Sequence, residues 1–223
     1  PDEELDAKVD ALAKSGQPVL TLSVHGATDL GRIFFFAEFA VAVAGWAIGI
    51  NPFDQPNVQE AKDNTNKVLD GYKAEGHLPE VADADDDALR ALLADAGPPH
   101  YVAVLGYLKP SEAFDRAVVE LREALRAKTG AAVTFGYGPR FQHSTGQMHK
   151  GGPPVGRFLQ LVGDEGDDVE IPGEAYSFRT LKHAAATGDL QTLRAHGLPA
   201  ERVTLEGDAV EALNALTAKI ESL

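Results

Sequence analysis

The sequence predicts an α/β protein, a three-layer sandwich in which a mainly parallel sheet is flanked by helices on both faces. Two observations carry the prediction. Short apolar runs rich in β-formers recur at 19–24, 101–108, 132–135, 158–162 and 202–205. Stretches with helical periodicity separate many of them, at 30–45, 56–73, 86–96, 111–128, 177–186 and 208–221. No internal repeat or low-complexity tract interrupts the pattern, so one compact domain over 1–223 is the simplest organisation. A chain of 223 residues is long enough to bury a sizeable core.

Punctuation supports several of these elements. Ser111 precedes an apolar-periodic run with Asp115 in its first turn, and Asp208 stands ahead of VEALNALTAKI, both capping signals. Gly97 and Gly130 are expected helix stops. The acidic cluster ADADDD at 82–87 reads as a solvated loop leading into a helix N-terminus, with no catalytic role. The run IFFFAEFAVAVAGWAIGI at 33–50 holds 18 residues and one charge, long enough for a membrane span to be considered. Glu38 would then sit in hydrocarbon without a basic partner on its own helix, so a helix buried on all sides of a large domain is expected instead.

Apolar residues make up 44% and charged residues 24%, the balance of a folded globular protein. The net charge of -14 argues against nucleic acid and anionic membrane surfaces as partners, because both bind through clustered Lys and Arg. The absence of cysteine excludes disulfides and thiolate metal sites and suits a cytoplasmic setting. The opening PDEELDAKVDALAK lacks the basic and apolar regions of a signal peptide, and Pro1 in place of Met suggests a piece of a longer polypeptide.

Two stretches hold the candidate chemistry. In NPFDQPNVQEAK, 51–62, Pro56 fits a first helical turn and Asp54 or Gln55 can cap its free N–H groups. Lys62 lies seven residues after Gln55, close to two turns, so both side chains can face one bound anion. An ordinary surface lysine on an amphipathic helix fits the same spacing. In YGPRFQHSTGQMHKGGPP, 137–154, two histidines, two hydroxyls, two cations and four glycines crowd together. His143 or His149 can move a proton near neutral pH, while Ser144, Thr145 and glycine N–H groups can hold phosphate or hydroxyls. A Gly-rich turn with a satisfied histidine is the plain alternative, and the His143–His149 spacing matches no strong metal pattern. Five cations between 124 and 163, Arg126, Lys128, Arg140, Lys150 and Arg157, have no Asp or Glu among them. They read either as solvated surface or as a pocket for a small anion.

The segment LGRIFFFAEFAVAVAGWAIGINPFDQPNVQEAK resembles the C-terminal signature of glucose-6-phosphate isomerases, with Glu38, Phe53, Asp54, Gln55, Val58 and Lys62 in the places of that motif. HSTGQMHKGGPPVGRFLQL and IPGEAYSFRTLKHAAATGDLQTL resemble the isomerase portion of bacterial transaldolase and glucose-6-phosphate isomerase fusions and their single-function relatives. The resemblance implies a phosphosugar aldose-ketose isomerase domain of glycolysis and gluconeogenesis that uses no cofactor or metal. By it, Lys62 and His143 are catalytic, and Gln55, Ser144, Thr145 and His149 bind substrate. Glu38 is structural in that comparison.

Two departures qualify it. In the commoner isomerases the histidine motif precedes the lysine motif, whereas His143 follows Lys62 here. His143 and Gln147 keep the family's four-residue spacing, but the second histidine is one position off, which leaves His149 as a rival. No residue here matches the family's glutamate base or its Ser/Thr-rich phosphate loop, so a preceding α/β domain in the same polypeptide is expected to supply both. The family also implies a homodimer. A sugar-phosphate-binding module without catalysis is the alternative function.

Overall fold

The computed structural model describes residues 2–163 and 166–223, except for the Ser144 side chain. The chain divides into two compact units, Pro1–Asp54 and Gln55–Leu223.

The first unit contains α1 (Glu3–Lys14) and α2 (Thr28–Ile48). Asp2 caps α1 by accepting from the N–H of Leu5. The stretch at 19–24 forms no strand among the described residues, which corrects the strand expected there. Alternating apolar residues gave it β character, yet a strand needs a neighbour for its N–H and C=O groups. The helix expected to be buried on all sides is also corrected, because Gly45 is its only buried residue. Phe35, Phe39 and Trp46 on it are exposed. By length and composition α2 is the one described helix able to cross a membrane.

The second unit is the predicted α/β sandwich. It runs α3 (Pro56–Glu75), α4 (Asp86–Leu93), β1 (Tyr101–Tyr107), α5 (Glu112–Thr129) and β2 (Ala132–Tyr137). A 3-10 turn (Arg140–Gln142), α6 (Ser144–Gly151), β3 (Gly156–Gly163), α7 (Phe178–Ala195), β4 (Ala200–Leu205) and α8 (Ala209–Ser222) follow. The four strands lie in the order β2-β1-β3-β4 and pair in parallel throughout. Such a sheet is buried on both faces, and β1 accordingly reads as an unbroken apolar run with residues 102–107 all buried.

Side-chain alternation sorts the core into two layers. Val102, Val104, Leu159 and Leu161 face α4, α5 and α8, while Ala103, Leu105, Phe158 and Val162 face α7. Helix α3 packs outside α7, where Val68 and Leu69 meet Ala184. Gly188 makes that approach possible, since a Cβ there would lie 2.7 Å from the Thr65 backbone nitrogen. A buried polar string ties the sheet to α7: Arg202 Nε donates to Gln160 Oε1 at 2.8 Å, and Gln160 Nε2 donates to the Ala186 carbonyl at 2.8 Å.

Several local signals act as predicted. Ser111 Oγ accepts from the N–H of Phe114, Asp208 accepts from Val210 and Glu211, and Gly130 ends α5 in the left-handed conformation. Gly97 does not stop α4, which ends at Leu93 with Ala94 as its extended cap. The acidic cluster also does more than meet solvent. Asp85 caps α4, and Asp83 accepts from both the N–H and the hydroxyl of Thr204 on β4.

Candidate active site

The two candidate stretches meet in the second unit, where the first turn of α3 packs against α6. Gln55 occupies the N-cap of α3, but its side chain makes no capping hydrogen bond. The free donor of the first turn is satisfied from elsewhere. Gln147 Oε1 accepts from the backbone N–H of Asn57 at 3.0 Å, and Gln147 Nε2 donates to Asn57 Oδ1 at 2.7 Å. A backbone N–H can only donate, so it fixes which end of the Gln147 amide is the acceptor, and that in turn fixes Asn57.

The stretch expected to be one Gly-rich loop is therefore a strand end, a 3-10 turn and a short helix, each anchored. Just before His143, Gln142 Nε2 donates to the hydroxyl of Tyr107 at 2.7 Å, at the carboxyl end of β1. At the other end of α6, Lys150 Nζ lies 2.5 Å from Asp189 Oδ1 on α7, both side chains being buried. Burial and the nearby Asp189 carboxylate push the Tyr107 hydroxyl well above its ordinary range.

The histidines occupy different surroundings. His143 is exposed at the N-cap of α6, with a φ of -73° and a ψ of -117°. His149 is 3% exposed, within 2.7 Å of the Tyr101 hydroxyl through Nδ1, and its ring meets Tyr101, Phe141 and Phe158. Burial, with the Lys150 ammonium next, pushes the His149 imidazole down to about 4, so it is neutral at pH 7. Burial likewise pushes Tyr101 up to about 12.

Thr145 is exposed and lines a cavity of about 280 Å³ together with Arg140, Tyr137, Phe141 and His149. The Ser144 side chain lies outside the described residues. Gln55 is half-buried, and Lys62 is exposed two turns further along α3. Among the described residues no carboxylate pairs with Lys62, and no hydrogen bond links it to His143.

The acid-free basic stretch does not converge on one pocket. Lys150 is consumed by Asp189, Arg157 donates to the carbonyls of Leu92 and Asp95, and Arg126 and Lys128 sit in the last turn of α5. Only Arg140 of the five lines the cavity beside α6. Sequence reasoning missed Asn57, Asp189 and Tyr107. Asn57 stood inside the stretch singled out, and its signal was an amide at the second position of a helix whose cap was unassigned.

Segments of the chain are similar to glucose-6-phosphate isomerases. The enzyme of that name from Lactobacillus helveticus is 38% identical over 76 residues, 32% of this chain and 17% of the relative. That from Leptospira biflexa is 41% identical over 56 residues, 24% of this chain and 12% of the relative. That from Lactobacillus johnsonii is 32% identical over 93 residues, 41% of this chain and 19% of the relative. The matched region thus spans less than a fifth of these relatives' length. No protein-family model matches. Among solved structures, a hypothetical protein from Thermus thermophilus aligns with 62% of this chain and 43% of its own, at 17% identity and a TM-score of 0.47.

Proposed function

We propose that this chain is the sugar-isomerase portion of a cytoplasmic glucose-6-phosphate isomerase, interconverting glucose 6-phosphate and fructose 6-phosphate in glycolysis and gluconeogenesis. The observation that supports it most is the direct pairing of α3 with α6, two elements whose candidate residues are 81 positions apart at Lys62 and His143. Similarity of segments to isomerases of that name points the same way.

Aldose-ketose isomerisation opens the sugar ring and then moves a proton between C2 and C1 through a cis-enediol. The first step needs a group that carries a proton near neutral pH at the ring oxygen. His143 takes that role, because it is exposed at the start of an anchored helix while His149 is neutral and enclosed. Negative charge developing on sugar oxygens is met by the Lys62 ammonium, and Gln55 and Thr145 offer hydrogen bonds to hydroxyls. The carbon-bound proton needs a carboxylate base, which we assign to a preceding α/β domain of the same polypeptide in a homodimeric enzyme.

The test is a coupled assay of the two hexose phosphates, on this chain and on a longer polypeptide containing it. Turnover in the longer chain is expected, and His143→Ala and Lys62→Ala each lower it by roughly a hundredfold or more with little change in melting temperature. Binding of sugar phosphate without turnover in either chain would assign a binding module instead. Wild-type turnover in both variants would remove His143 and Lys62 from the site.

A further inference from the structure

Helix α6 is held from three directions, and the three contacts differ in what they fix. Gln142 ties its entrance to β1 through Tyr107, and Lys150 ties its exit to α7 through Asp189. Both contacts bind α6 to the core. Of the three, Gln147 reaches α3, the helix that carries Lys62, and it does so with two hydrogen bonds of 3.0 and 2.7 Å that exchange donor and acceptor.

The pairing leaves little freedom. Asn57 is at the second position of α3, where a backbone N–H has no partner inside the helix, so Gln147 completes that helix as well as touching it. The Gly151 backbone closes over the amides: a Cβ built there would stand 2.4 Å from Gln147 Nε2 and 2.5 Å from Asn57 Oδ1. Sliding α3 along α6 by even part of a turn breaks both bonds and strands a part-buried donor.

We propose that the Asn57–Gln147 amide pair is a positioning strut that sets the register of α3, and with it Lys62, against α6 and His143. Its kinetic meaning rests on the isomerase reading; its mechanical meaning does not. Neither amide needs to touch substrate for a displacement of the two elements to slow the chemistry, since a misplacement of about 1 Å can cost on the order of a hundredfold.

The experiment uses the chain as it exists and three variants: Asn57→Ala, Gln147→Ala and Gln147→Glu. Glutamate keeps an acceptor for the Asn57 N–H and can take the other bond once the Asn57 amide turns over, so it is the conservative replacement. Amide hydrogen exchange is followed at 57–59 and 145–149. Each alanine variant is expected to speed exchange roughly tenfold on both elements, the unmutated one included, and Gln147→Glu is expected to restore protection. In the active polypeptide the alanine variants lower kcat at least about tenfold with KM little changed, and the double alanine variant is no worse than the poorer single. Faster exchange confined to the mutated element overturns the strut. Coupled exchange together with an inactive wild-type enzyme upholds the strut and overturns the isomerase reading.

Discussion

Lys150 and Asp189 bury opposite charges 2.5 Å apart, and the pair is worth more through what its loss would leave behind than through its own attraction. Asp189→Ala strands a buried ammonium and is expected to cost about 3–5 kcal/mol, read by urea unfolding. Lys150→Met with Asp189→Leu should cost markedly less, because no charge is left unpaired. His149 carries a pH signature of different origin. Its imidazole titrates near 4 in the folded chain against an ordinary 6.5, so between those values the unfolded chain binds a proton the folded chain excludes. Its contribution is complete above pH 6.5 and is lost as pH falls toward 4, by on the order of 3 kcal/mol. The stability difference between wild type and His149→Phe should therefore shrink across that window, and a constant difference would refute the assignment. At this scale the sequence showed which residue types were concentrated at 137–154 but not which were buried. His143 and His149 are six residues apart in one polar run, and packing of His149 against Tyr101, 48 positions away, and against Phe141 and Phe158 separates their surroundings.

Helices and strands were more legible, because apolar periodicity is a property of consecutive residues. The four strands of the sheet and the six helices expected by pattern are all present, several with the caps their sequences announce. Two failures have physical causes. The 19–24 stretch has strand composition without a described strand to pair with. Helix α6 was hidden because STGQMHKG holds no apolar stripe; its anchors are side chains from β1, α3 and α7, all distant in sequence. The same reliance on close approach governs α3 against α7. Gly188→Ala would press a methyl group to 2.7 Å from the Thr65 nitrogen, where the neighbour is backbone and cannot step aside. Destabilisation of about 1–3 kcal/mol is expected, measured by thermal unfolding, with the sheet's hydrogen exchange protected until the global transition.

For the whole molecule, the second unit possesses the sheet and both helical layers of a three-layer sandwich, with its own cores on each sheet face. Residues 55–223 expressed alone are expected to unfold cooperatively and to keep slow exchange in all four strands. A broad, non-cooperative melt would show that the core depends on 1–54. Fold class was readable from the whole sequence because alternation of strand and helix leaves few architectures open. The site was only partly readable, since its assembly depends on pairs such as Asn57 and Gln147 that no local window contains. That separation has a temporal side. Growing from the ribosome, the chain exposes Lys62 long before Gln147 exists, and β1, α5 and β2 are all translated in between. The start of α3 thus waits through 90 residues of synthesis for the amide that completes it, so the surroundings of Lys62 cannot be completed until α6 has been made, with β3, α7, β4 and α8 still to follow.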